Sequence, residues 1–206
     1  VISDTTFLKS LPKKEMICGY AEILKHSIIK DRKFFYWLKS NTKNLLLREK
    51  NVLIYAIKKS CLIKKYFVSK DVNEKGLRMK LNFGHTFAHA IEAKNKYSKK
   101  ITHGEAVLSG MIIASRLSSL MKICNKKTVN EIEEIYSENN LSYTFKKFSN
   151  TKEIYNLIPF LKNDKKNNDK NINFILLKKI GVTSPPYKNK ISIDKLKKYC
   201  NAIARY

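Results

Sequence analysis

The chain has 206 residues, enough to bury a core as one domain or two small ones. Its 42 Lys and Arg against 17 Asp and Glu give a formal net charge of +25, which raises nucleic acid as a partner. Only five of the basic residues are arginine (Arg32, Arg48, Arg78, Arg116, Arg205), the side chain suited to bidentate reading of phosphate and guanine, which argues against that partner. The lysines are scattered through the whole chain with abundant Asn and Ile, as A+T-rich codon usage would produce. No apolar run is long enough to cross a bilayer, and no basic start precedes a long apolar core, so neither a membrane span nor a secretory signal is expected. Cys18, Cys61, Cys124 and Cys200 are widely spaced without a CxxC pair. They read as buried or idle thiols of a reducing, cytoplasmic compartment.

In chain order, residues 1–14 read as the tail of something larger, with a short apolar-periodic segment at Thr6–Leu11 before Pro12. From about Lys14 to His26, Met16, Ile17, Tyr20, Ile23 and Leu24 recur at helical spacing. Asp31 is placed to cap an aromatic helix through Phe34–Leu38. Val52 to about Lys70 repeats the helical pattern, and Gly76 marks a turn. A helix is expected from about Gly84 to Ala93, then a charged loop over Lys94–Lys100. A long apolar helix opens at His103, and an amphipathic one runs over Val129–Glu138. Lys162–Lys170 reads as a polar, basic loop, Ile172–Leu177 as one short strand bounded by Gly181, Pro185-Pro186 as a loop, and Ile193–Ala204 as a closing helix. There is no internal repeat, no βαβ alternation and no glycine-rich phosphate loop. The expected fold is mainly α, a helical bundle with a small β element.

The chemistry concentrates in Leu81-Asn82-Phe83-Gly84-His85-Thr86-Phe87-Ala88-His89-Ala90-Ile91-Glu92, which holds two of only four histidines. Four residues apart, His85 and His89 share one helix face. His103 follows in His103-Gly104-Glu105-Ala106. Three imidazoles and a carboxylate from another helix could form a metal site, and Glu22 qualifies because it lies in the apolar stretch Tyr20-Ala21-Glu22-Ile23-Leu24. The bland alternative is a surface i,i+3 pair between Glu22 and Lys25, with the histidines padding a core.

Four blocks in order carry a resemblance: Leu8-Lys9-Ser10-Leu11-Pro12 running into Gly19–Lys25, Asp71–Arg78, Leu81–Glu92 and His103–Met111. A weaker fifth is Asn163–Lys166 before Phe174–Leu177 and Ile180-Gly181. Together they resemble the C-terminal domain of the 3-dehydroquinate synthase family of sugar-phosphate cyclases. The resemblance implies a divalent metal, zinc or else cobalt, on Glu22, His85 and His103, with His89 turned to the substrate and its phosphate. It further implies Lys25 on substrate hydroxyls, Lys64 and Arg78 toward a carboxylate, and Asn82 with Lys165 or Lys166 at the phosphate. Lys25 and His89 are thereby the expected catalytic pair.

The implied reaction is conversion of 3-deoxy-D-arabino-heptulosonate 7-phosphate to 3-dehydroquinate and phosphate in the shikimate pathway of aromatic amino acid biosynthesis. An alcohol is oxidised by NAD, phosphate is eliminated, the ketone is reduced and the ring closes by an aldol step. Residues 1–206 would be the metal- and substrate-binding half, and 1–14 the linker from an NAD-binding α/β domain that this chain lacks. The isolated half is expected to be inactive and the full-length enzyme a homodimer, with a small sugar-acid phosphate as substrate and neither nucleic acid nor membrane as partner. Another sugar-phosphate cyclase, or a metal-dependent polyol dehydrogenase of the same fold, is the alternative within enzymes; a basic nucleic-acid-binding module is the one outside them. Ala88 stands where the family usually has glycine, adding a methyl at a close helix contact.

Overall fold

A computed structural model describes residues 3–98, 100–162 and 171–206. The first long helix, α1 (Lys13–Lys30), starts after Pro12 and runs four residues past the expected end at His26, because Ser27, Ile28 and Ile29 remain buried. Asp31 closes it and opens the next. Its N–H donates to Ser27 O, while its side chain accepts from Phe34 N at 2.9 Å as the N-cap of α2 (Arg32–Leu46). The third helix, α3 (Lys50–Lys70), covers the span read from its apolar spacing. After a 3-10 turn at Leu77–Asn82 come α4 (His85–Lys94) and α5 (His103–Leu120).

The α5 helix is the centre of the fold. Every residue from Gly104 to Ser118 is buried, and it packs against α1, α4, α6 (Lys126–Glu138) and the C-terminal α9 (Ile193–Ala204). Such an all-round apolar surface belongs to a helix wrapped by others. Its start is fixed by a capping box, Thr102 with Glu105. Between α6 and the β element the chain makes short turns, including α7 (Thr151–Tyr155) and α8 (Ile158–Lys162), for which the sequence offers no periodic signal.

The single strand expected over Ile172–Leu177 is instead two. β1 (Asn171–Phe174) pairs antiparallel with β4 (Asn189–Ser192), and β2 (Leu177–Lys179) pairs with β3 (Val182–Thr183). Phe174, Ile175, Leu176 and Leu177 are all buried, whereas a continuous strand sends successive side chains to opposite faces. The chain bends between the two strands to bury all four. Gly181, with φ +87, turns the second hairpin, and its N–H donates to Ile28 O at 2.7 Å, pinning that hairpin to α1. The architecture is thus the mainly α bundle with a small β element that the sequence predicted. Among the described residues no helix is long and apolar enough to cross a membrane. All four cysteines are free; Cys200 is buried, Cys18 and Cys124 partly so, and Cys61 is exposed.

Candidate metal centre

Three helices bring the chemistry together. Glu22 comes from the middle of α1, His85 is the first residue of α4, and His103 is the first residue of α5. Glycine makes both starts possible. Gly84 adopts φ +79 against the side chain of Met111, and a Cβ on Gly104 would overlap the backbone of Cys18, one turn before Glu22. The α5 N-terminus therefore lies directly on α1.

Each of Glu22, His85 and His103 offers one ligand atom, and these atoms lie within 4.8 Å of one another. Glu22 Oε1 faces His85 Nε2 at 3.6 Å and is a buried oxygen with no hydrogen-bond partner. Such an oxygen is costly unless something completes it. The second oxygen, Oε2, accepts from Lys25 Nζ at 2.7 Å. His85 Nδ1 lies 3.4 Å from Phe83 O, and His103 Nδ1 lies 2.9 Å from Glu92 Oε1. Both neighbours are acceptors, so each Nδ1 is the donating nitrogen and each Nε2 is the one left to meet a metal. Burial, reinforced by Lys25, pushes the His85 imidazole down to about 3, so it is neutral at physiological pH. A carboxylate oxygen and two imidazole nitrogens are the donor set of an open zinc-type site, and the arrangement fits a divalent metal.

The Glu22–Lys25 pair is not the surface pair of the bland alternative, since the Lys25 side chain is only 4% exposed. Burial lowers the Lys25 ammonium, with Glu22 opposing. Burial would raise the Glu22 carboxyl, but Lys25 and then His85 outweigh it and hold it below the usual range. Lys64, exposed on α3, lies close enough that its charge disfavours protonation of both Lys25 and His26. His89 is exposed one turn beyond His85, their rings edge to face with centroids 5.6 Å apart. Arg78 is half-buried; its backbone N–H donates to Asp71, whose carboxylate also accepts from Lys75 N and Gly76 N, and its Nη1 donates to Val72 O at 2.8 Å. Asn82 Nδ2 donates to Glu74 Oε1 at 2.7 Å. Lys165 and Lys166 lie outside the described residues, as does most of the basic loop expected over Lys162–Lys170.

Three neighbours of the site received no role from the sequence, although Glu74 and Glu92 lie within the matching blocks. Glu92 bonds to His103, Glu74 holds Asn82, and His26, buried beside Lys25, bonds through Nδ1 to Ser60 Oγ at 2.7 Å. A signal exists for two of them. Glu92 is seven residues from His85 and His26 four from Glu22, both helical repeats that return to the same face.

The family model described as 3-dehydroquinate synthase C-terminal matches residues 19–167. A 3-dehydroquinate synthase of Pelagibacter ubique is 51% identical over 188 residues, covering 91% of this chain and 50% of that protein. One from Dictyoglomus thermophilum is 39% identical over 181 residues, 88% of this chain and 49% of that protein. The chain thus spans about half the length of the curated relatives it matches. Among solved structures, a 2-deoxy-scyllo-inosose synthase complexed with carbaglucose-6-phosphate, NAD+ and Co2+ superposes with a TM-score of 0.81 at 21% identity, over 97% of this chain and 55% of that one. A 2-epi-5-epi-valiolone synthase from Streptomyces hygroscopicus with NAD+ and Zn2+ bound gives 0.74 at 17%, over 98% of this chain and 54% of that one. Likeness at these identities speaks to the fold alone.

Proposed function

The chain belongs to the 3-dehydroquinate synthase C-terminal family, and from that premise we propose that it is the metal- and substrate-binding half of a 3-dehydroquinate synthase. The observation that carries the reading is the convergence of Glu22, His85 and His103 around an otherwise unpartnered Glu22 oxygen. In this reading those three residues hold a divalent metal, zinc or cobalt, the ions bound in the two solved cyclases. When bound, the metal would supply Lewis acidity at the substrate hydroxyl and NAD would supply the hydride chemistry.

The chain's own residues do the rest. Lys25, held by Glu22 at the floor of the site, presents a buried ammonium to substrate hydroxyls. Lys64 and Arg78 approach the substrate carboxylate, where the guanidinium fork gives Arg78 the more directional contact. His89 and Asn82 face the phosphate, joined there by Lys165 or Lys166. The lysine ammonium stabilises the departing phosphate by its charge and Asn82 by donating from its amide, and His89 exchanges a proton there in this reading. The NAD contacts fall on a preceding α/β half, with residues 1–14 as the linker to it. The same reading makes the full-length protein a cytoplasmic homodimer.

The fold is common to several cyclases, so the carboxylate contacts decide among them. Loss of binding of a carboxylated substrate analogue in Lys64→Ala and Arg78→Ala, with metal retained, favours the 3-dehydroquinate synthase reading over a cyclase whose sugar phosphate has no carboxylate. The ligand set is tested by zinc stoichiometry of the wild type and of Glu22→Ala, His85→Ala, His103→Ala and His89→Ala. The first three should lose metal and the fourth keep it. Metal loss in His89→Ala with retention in His103→Ala overturns the assignment.

A further inference from the structure

We propose that Glu92 is a positioning residue of the metal centre: by accepting the Nδ1–H of His103 it aims His103 Nε2 at Glu22 and His85. The inference rests on the metal-site reading above and goes one residue beyond it.

The two imidazoles of the site are held in different ways. His85 is 13% exposed, so packing fixes its ring, and its carbonyl contact at 3.4 Å is long. His103 is 49% exposed at the first position of α5, where packing leaves its ring room to rotate. What fixes it is the 2.9 Å bond to Glu92 Oε1, whose own side chain is only 17% exposed. Glu92 can do this because it rides on α4 seven residues after His85, so one helix face delivers both the first imidazole and the anchor of the second. Glu92 is itself outside the set of converging ligand atoms.

Electrostatics point the same way. His103 sits at the positive end of an 18-residue helix, an unfavourable place for a dication unless carboxylates surround it. Glu92 brings one within hydrogen-bond range of the ligand, in addition to the coordinating Glu22. A carboxylate behind a ligating imidazole also raises its basicity, and removing such a partner costs about 10- to 100-fold in metal affinity. The pair forms part of the wall of a cavity of about 650 Å³ that also includes Lys14, Cys18 and Tyr97. A ring turned away from the site would have open space to occupy.

The test is zinc affinity by competition with a chromophoric chelator, for the wild type, Glu92→Ala, Glu92→Gln, Glu22→Ala and His103→Ala, with the melting temperature of each metal-free protein measured alongside. Glu92→Ala should bind zinc about 10- to 100-fold more weakly with its metal-free melting temperature unchanged. Glu92→Gln should lose less, because its amide oxygen still accepts from Nδ1–H, and the visible spectrum of the cobalt form should shift in Glu92→Ala. Wild-type affinity in Glu92→Ala, with metal lost in Glu22→Ala and His103→Ala, overturns the role of Glu92 and leaves the site standing. Undiminished binding in Glu22→Ala and His103→Ala overturns the site itself. Equal losses in Glu92→Ala and Glu92→Gln with lowered metal-free stability would make the residue structural and also overturn the proposal.

Discussion

At the scale of single residues, the floor of the site concentrates groups that water would ordinarily solvate. Lys25 and His26 are adjacent in sequence, are 3% and 4% exposed, and both feel the charge of Lys64. His26 differs from the candidate ligands in having a purely internal partner, Ser60. Burial first, and Lys25 second, lower its imidazole from 6.5 to about 4. The folded state therefore resists a proton that the unfolded chain accepts between those values. His26 contributes its full stability above pH 6.5, and loses it as pH falls toward about 4. The interval corresponds to at most ~3 kcal/mol, about 2 of which should be gone at pH 5. Urea unfolding at pH 7 and pH 5 with chelator present should show wild type losing about that much more than His26→Gln. Equal losses in the two proteins would mean that the His26 environment is not dry. The sequence singles out the other three histidines and not this one, because His26 follows a lysine inside a helix and has no motif around it. Its partner Ser60 is 34 residues away, and no local pattern announces such a pair.

At the scale of elements, helical spacing in the sequence locates α1 to α6 and α9, and the Asp31 cap is visible as a residue type at the right place. The distances between helices are not visible there, and they decide whether the site exists. Gly104 lets α5 touch α1 at Cys18, and Gly110 lets it touch α4 at Gly84 and Ala88. These contacts join segments that have no local pattern in common. The Ala88 methyl fits at the α4–α5 contact, where it is fully buried with glycine opposite. Gly104→Ala should force the start of α5 away from Cys18, costing about 1–3 kcal/mol of stability. It should also pull His103 from Glu22, so zinc affinity falls in the same variant. Gly19 on α1 is exposed, and a methyl added there would meet nothing within 4 Å. Gly19→Ala should therefore stabilise the helix by about 0.5–1 kcal/mol and leave zinc binding intact. Chemical denaturation paired with metal titration separates the two, and unchanged zinc affinity in Gly104→Ala would show that the α1–α5 contact does not set the site. The split of the expected strand has the same origin, since burial of four successive side chains depends on what covers them.

At the scale of the whole molecule, the site is well built on its floor and open on its outer side. Lys25 and His85 are enclosed, whereas Lys64, His89 and His103 are exposed. An open ammonium such as that of Lys64 is screened by salt and water, so its contact to a carboxylate or phosphate is weak until something closes over it. Closure also strengthens each electrostatic interaction and excludes water from the reacting carbons. The chain spans about half the length of its curated relatives, and in the proposed reading the other half supplies both that closure and the dinucleotide site. Residues 1–206 should therefore bind zinc but give no detectable turnover with NAD and the sugar-acid phosphate. Adding the separately produced N-terminal half of the Pelagibacter ubique relative should restore phosphate release, and Lys25→Ala in this chain should abolish the restored activity. Phosphate release is the readout, followed with inorganic zinc present throughout. Turnover by residues 1–206 alone would overturn the division of labour, because the open face would then suffice. Restoration that survives Lys25→Ala would instead remove Lys25 from the machinery. The two outcomes are independent, so the experiment tests the closure argument and the role of the buried ammonium separately.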